Sequence, residues 1–404
     1  MQPFIVGHAG HPDWRQALAQ AAAQIDGQRA HAGGESVEPS LGFVYFSDHY
    51  APHAQALLDA LRQRWPGAAW VGTVGVGVAA GGVEYFDQPA LVLMLAALPP
   101  GRFQVFSGAK PLARIEAHTA LIHADGNTPD LADLLGDMSA RTSSGYLFGG
   151  LSSSRTVACQ IADAVLQGGL SGVAFSRDVA LVSRVTQGCQ PIGPARRITA
   201  CERNVVTALD GEPALACLLR DAGISLDNPQ RAMNTLRGTL VGLSDPRQTL
   251  LARGGQFGAE TRVRHLIGLD PGQHGVAVAE LLEPGMQLAF CHRDVAAARR
   301  DLVRICAEIR DELIPEPALP QAAVHALDHE VPLPADPVAR IAGAIYISCA
   351  GRGGPHFGAP SAELQIVQRE LGDVPLVGFF AAGEIGHRHL YGYTGVLSVF
   401  TRNG

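Results

Sequence analysis

Two short segments toward the C-terminal end hold the residue types best suited to chemistry. The first, Ser348-Cys349-Ala350-Gly351-Arg352-Gly353-Gly354-Pro355-His356-Phe357-Gly358, follows an apolar, β-branched run and sets one guanidinium among glycines. Glycines let a ligand approach the backbone closely, and a guanidinium fork matches a carboxylate. The second, Gly383-Glu384-Ile385-Gly386-His387-Arg388-His389, follows another strand-like run and supplies Glu384, a partner for an ammonium group. If both loops face one cleft, Arg352 and Glu384 clamp the two ends of an amino acid or similar zwitterion, with Gly351, Gly353 and Gly383 beside them. The alternative is that the two side chains pair with each other or with solvent and brace the loops.

Other candidates carry less chemistry. Cys349 is a nucleophile or redox thiol if Arg352 or a histidine stabilises its thiolate; otherwise it is a buried strand-end cysteine. His387 and His389 would point the same way on an extended chain and could meet a metal or haem iron, although exposed loop histidines usually do neither. His292 and the stretch from Gln187 to Gly193 read as structural. Gly72-Thr73-Val74-Gly75-Val76-Gly77 runs into Val78-Ala79-Ala80 and not into a helix, so it lacks the helix N-terminus that cradles phosphate. No phosphate-loop, nucleophile-elbow or His-Glu-x-x-His motif is present, and no catalytic residue is assigned.

The elements that must position these residues follow from periodicity. Helical spacing occurs at Trp14, Leu18, Ala22 and Ile25, at Leu57, Leu61 and Trp65, at Leu131, Leu134 and Met138 behind Thr128-Pro129, and from Val295 to Leu313. Between them lie apolar runs of strand length: 42–47, 91–98, 172–175 and 179–185. The turns 176–178, 270–273 and 283–285 are too short for a parallel crossover and imply antiparallel neighbours. The expected fold class is α/β (α+β): two related domains of mixed or antiparallel sheets with packed helices, a layered sandwich and not a clean Rossmann sheet.

An internal echo supports the two domains. Strand, helix, strand and glycine turn recur in order at 41–77 and at 342–383, and the glycines keep their spacing at Gly72 and Gly77, then Gly378 and Gly383. The expected division is 1–205 and 206–404, with a Pro-rich connection at 314–337 inside the second.

Bulk composition narrows the function classes. The net charge of −7 comes without a basic run, which argues against a nucleic-acid partner. Neither a leader nor a long apolar span is visible, so a cytoplasmic protein without membrane insertion is expected. Seven scattered cysteines never form a Cys-x-x-Cys pair, against a disulfide framework or structural zinc.

Taken together, Ser348 to Gly353, the stretch from Pro375 to Gly386 and Tyr391-Gly392-Tyr393-Thr394 resemble the C-terminal FIST domain, with Phe290 to Asp294 echoing its earlier part. The Gly72 to Gly77 turn, the 91–98 run and Gln187 to Gly193 are similar to the N-terminal FIST domain. The resemblance implies a sensory protein that binds a small ligand, an amino acid among the candidates, and regulates a separate partner; Tyr393 joins the ligand-binding candidates on this ground. It also admits a haem-binding nitric-oxide sensor acting on a histidine kinase or a cyclic-di-GMP enzyme. Eukaryotic members carry an F-box, which is not found here before Ala30. One departure is His387, where the family tends to have proline. A Cys349-dependent enzyme remains the third alternative.

Overall fold

The computed structural model describes residues 4–31, 38–112, 115–225, 229–246, 250, 257–258, 261–314 and 337–402. Most of the Pro-rich connection at 314–337 thus lies outside the described residues. The chain forms two compact units: Met1–Arg184 with Leu302–Arg388 and Gly395–Gly404, and Val185–Asp301 with His389–Thr394. Both units are discontinuous in sequence, and the point 205/206 falls inside a strand, Val205–Leu209.

The first unit repeats one plan three times. Module one comprises β1 (Ile5–Gly10), α1 (Trp14–His31), β2 (Leu41–Ser47), α2 (Ala54–Arg64), β3 (Ala69–Gly75), the hairpin of β4 (Gly77–Ala80) and β5 (Val83–Phe86), and β6 (Ala90–Ala96). β2 is buried on both faces, as its unbroken apolar run requires. It pairs in parallel with β3 across the α2 crossover and antiparallel with β6, which pairs antiparallel with β1. Module two repeats this with β7 (Phe103–Ser107), β8 (Thr119–Ala124), α3 (Leu131–Ala140), β9 (Tyr146–Leu151), β10 (Gln160–Ala162), β11 (Val165–Leu166) and β12 (Leu170–Phe175). Among the described residues it has no helix between its first two strands.

Module three opens with β13 (Leu181–Gln187). The second unit then follows in sequence: β14 (Cys189–Pro191), β15 (Arg196–Glu202), β16 (Val205–Leu209), β17 (Glu212–Pro213), α4 (Ala214–Asp221), α5 (Pro229–Gly238), β18 (Thr239–Ser244), β19 (Arg262–Asp270), β20 (Gly275–Val278) and β21 (Gln287–Arg293). The third plan resumes with α6 (Val295–Leu313), β22 (Ile341–Cys349), α7 (Ala362–Leu371), β23 (Leu376–Ala381) and β24 (Glu384–His387). β25 (His389–Tyr391) belongs to the second unit, and β26 (Thr394–Thr401) closes the module antiparallel to β22.

The hairpin strands are exchanged in a cycle. β10 pairs with β3 of module one, β24 with β9 of module two, and β4 with β23 of module three. Each sheet is therefore incomplete without a strand from another module. One glycine in each copy makes the parallel pair possible. Gly72 lies opposite Val44, Gly149 opposite Ile122 and Gly378 opposite Tyr346, and an added Cβ at any of them would overlap the carbonyl oxygen of that partner. The echo read from the glycine spacing is thus real and has a third copy.

The second unit is built differently. Its strands pair β21-β15-β16-β20-β19-β18, and β18 returns to β21, so six antiparallel strands close on themselves. Closure removes the exposed sheet edge. Ile198, Val206, Val241, Val276, Leu288 and Phe290 fill its core with Cys217 and Leu218 of α4.

Three local expectations need correction. The turn 270–273 joins the antiparallel pair β19 and β20, but 176–178 links strands of different sheets, and 283–285 leads from β20 to β21, which do not pair with each other. α3 starts at Leu131 after a left-handed Asp130, not at Thr128-Pro129. Short turns fix chain reversal, while the choice of pairing partner is set by longer-range packing. No helix among the described residues is long and apolar enough to cross a membrane.

Candidate functional site

The end of β22 and the start of α7 carry a buried ionic cluster. Arg352, 1% exposed, leaves the strand end and turns its guanidinium onto Glu363, in the first turn of α7 and fully buried. Nη2 donates at 2.8 Å and Nε at 3.1 Å to Glu363 Oε1. The same carboxylate accepts from Tyr346 Oη at 2.6 Å and from Ser348 Oγ at 2.9 Å, both on β22. Glu84 arrives on the exchanged hairpin from module one. Its Oε1 accepts from the backbone N–H groups of Glu363 and Leu364 at 3.0 and 3.1 Å, satisfying donors that a helix N-terminus leaves open. Phe357 lies under the guanidinium, 5.2 Å from it.

Glu384 opens β24 opposite Gly150 and is fully buried. Burial works against the Arg352 charge, but Glu363, Tyr346 and Glu384 more than offset it, and the guanidinium is held above its ordinary value. Glu384 is therefore close enough to Arg352 to act on its charge. What the clamp did not anticipate is Glu363, which already occupies the fork.

The remaining candidates fall out as follows. Cys349 is buried at the end of β22, and Gly351 is half-buried. The space beside Gly353 is filled: a Cβ there would overlap the rings of Phe86 and Phe380. The Gly383 carbonyl accepts from Leu151 N–H at 2.8 Å, tying β23's end to module two. His387 is exposed, has a left-handed φ of 53°, and stands edge-on to Tyr146 at 4.6 Å. That φ breaks the extended run on which the shared direction of His387 and His389 depended, so the two do not fit as a same-strand pair of haem ligands. His389 and Tyr393 belong to the second unit. There His389 faces Tyr391, and Tyr393 shares a 2.8 Å hydrogen bond with His265 while Arg293 lies over its ring. Among the described residues no group of three or more His, Cys, Asp or Glu is placed to hold a metal ion.

Two further polar sites in the first unit were not singled out from sequence. Asp48 follows β2 and is gripped by Arg155, with Nε and Nη2 each at 2.8 Å from its carboxylate. Burial pushes Asp48 up, but hydrogen bonds and charge from Arg155, with His49, bring it below its ordinary value. The second site is His123 on β8, fully buried, whose Nε2 shares a 3.2 Å hydrogen bond with Tyr45 Oη. Phe379 stacks on Tyr45 and meets the His123 ring edge-on. Burial pushes the imidazole down to about 3, so it is neutral in the folded chain. The strand registers place Tyr45, His123 and Ile347 at equivalent positions of the three modules. Only pairing reveals such equivalence, because nothing in the local sequence marks these residues.

Comparison with known proteins adds the following. The family model of the FIST N domain matches residues 40–212, and that of the FIST C domain matches 214–387. An uncharacterised protein of Mycobacterium tuberculosis is 30% identical over 426 residues, covering 98% of both chains. A second, from Mycobacterium bovis, is 30% identical over 420 residues with the same coverage.

Proposed function

The chain belongs to the FIST family, whose paired FIST N and FIST C domains are associated with sensory signal transduction, and from that premise we propose that it binds a small zwitterionic ligand and regulates a separate partner protein. The proposed site is the cluster around Arg352. The observation that carries this reading is the balance of buried charge. Arg352 is set among three carboxylates, Glu363, Glu384 and Glu84, all 7% exposed or less. A site that gathers acids around one guanidinium is suited to a ligand that brings a second cation. A ligand ammonium beside Glu384 is that cation.

In this reading Glu363 stands in for the ligand carboxylate. A ligand that takes the Arg352 fork displaces Glu363, and Glu363 is part of the first turn of α7, which Glu84 also holds. Ligand binding is thereby coupled to the seating of α7, the two-state element a sensor requires. Cys349 and the glycines 351, 353 and 383 frame the site without reacting.

Calorimetric titration of the full chain with a panel of free amino acids tests the proposal. At least one should bind; Glu384→Gln should weaken it tenfold or more, and Glu363→Gln should tighten it by removing the internal competitor. Circular dichroism on each variant controls for folding. If no amino acid binds the native chain or the Glu363→Gln variant, the proposal fails.

A further inference from the structure

The threefold plan exposes a vacancy that no single module would reveal. In module one, α1 lies on the sheet beside α2, and both helices share one apolar cluster. In module three, α6 occupies the same step of the plan, between the module's first strand and β22, with Arg184 of β13 bonded to Glu308 on it. Module two has no such helix among the described residues. Residues 108–118 connect β7 to β8, and a hollow of about 260 Å³ lies between α3 and the sheet. Phe106 and Leu170 line it from the strands, and Leu134, Met138 and Arg141 line it from the helix.

Counting back from the equivalent glycines Gly72, Gly149 and Gly378 shows how the vacancy affects α3. Leu57 of α2, fully buried in the cluster that α2 shares with α1, corresponds to Leu134 of α3, which is 37% exposed. The next pair along the helix, Leu61 and Met138, is buried in both modules, so α3 is seated on its own sheet in the usual way. Its lateral face borders the hollow, which Pro111 and Leu112 of the connection also line.

The same count identifies a charge position. Arg64 of α2, Arg141 and Glu370 of α7 all stand eight residues before their module's glycine. Arg64 forms an ion pair with Asp26 of α1, and Glu370 forms one with Arg310 of α6 at 3.3 Å. In both modules this position ties the crossover helix to the covering helix. Arg141 is exposed at the rim of the hollow and makes no ion pair among the described residues.

We propose that the groove beside α3 docks an amphipathic helix of a partner protein, with its apolar face on Phe106, Leu134 and Met138 and an acidic side chain paired with Arg141. The two sister modules supply the template for the occupant's form, and the unmatched guanidinium supplies its charge. The seat is shallower than that of α1. Gly7, whose missing Cβ admits the backbone of Ala21, is replaced in register by Phe106, so the docked helix rides on an aromatic ring. This surface lies in module two, apart from the cluster proposed to bind ligand, and the inference does not rest on that reading.

The chain's own α1 provides a defined probe. A fluorescent peptide of residues 14–31, stapled between the exposed positions Ala19 and Ala23, carries Trp14, Ala17, Ala21 and Ile25 on one face and Asp26 at the ion-pair position. It should bind the full chain saturably by fluorescence anisotropy. Arg141→Glu should weaken binding at least tenfold, a peptide carrying Asp26→Arg should restore it to that variant, and Leu134→Asp should abolish it. Both substitutions are at exposed positions, and unchanged melting curves confirm that the fold is intact. Absence of saturable binding, or binding indifferent to Arg141→Glu, overturns the proposal. So does a dimer in sedimentation that Arg141→Glu dissociates, since the groove would then belong to a second copy of this chain.

Discussion

Modules one and three each place a carboxylate–guanidinium pair just beyond the end of their central strand, in opposite surroundings. Arg155 reaches Asp48 from the solvent side and is 52% exposed over a carboxylate that is itself 3% exposed, whereas Arg352 and Glu363 are 1% and 0% exposed, so only one of the two pairs is open to water on one side. A pair with one ion open to water is cheaper to break, because solvent can enter the gap; a pair buried on both sides is costly to form and far costlier to break. The fold position is shared, but the energetic role is not. Module one's pair pins a surface loop, while module three's holds a charge in the interior that depends on each of its partners.

That contrast can be broken by substitution, and the largest effect belongs to the buried pair. Arg352→Ala should cost about 3–5 kcal/mol in urea unfolding, because Glu363 is left charged and buried. A loss under about 1 kcal/mol would mean that water reaches the cluster.

Next comes the acid response of the buried histidine. His123 has a folded value of about 3 against 6.5 unfolded, so the unfolded chain takes up the proton first. Stability is fully present above pH 6.5 and falls as pH drops toward about 3, by up to about 1.4 kcal/mol per pH unit. His123→Phe should flatten that slope between pH 6 and 4, with pH values chosen inside the window roughly set by the two states. An unchanged slope would assign acid sensitivity to the carboxylates instead.

The matched leucines sharpen the comparison between covered and uncovered helices. Leu57→Ala should cost about 2–5 kcal/mol by leaving a cavity in the core of module one, and Leu134→Ala less than about 1 kcal/mol. Equal losses in thermal unfolding would mean that α3 is covered in solution.

Glycines separate in the same way. Gly72→Ala should cost about 1–3 kcal/mol because the parallel pair must part, while Gly27→Ala, in α1 with open space around it, should gain about 0.5–1 kcal/mol. At the half-exposed pair, Arg155→Ala should cost about 1–3 kcal/mol, because Asp48, 3% exposed, is left charged without its guanidinium; water entering from the Arg155 side keeps the loss below that at Arg352.

Much of this molecule was legible before any coordinates. The helices at 14–31, 54–64 and 295–313 follow from apolar spacing, and the strands from short β-branched runs, because both periodicities are local properties of the chain. The paired glycines pointed to the echo for the same reason. The middle copy escaped notice because Gly149 is followed at once by Gly150, and residues 152–159 separate β9 from its hairpin, so the second spaced glycine is missing.

Sequence by itself determined the elements, their family and the residues available for chemistry at the ends of β22 and β23. Tertiary structure alone decided which acid meets Arg352, which hairpin completes which sheet, and where a helix is lacking. The physical reason is range. Periodicity acts over a few residues, whereas Glu84 reaches the amide of Glu363 across 279 positions of chain, a choice made only when buried donors and charges compete for partners in a packed interior.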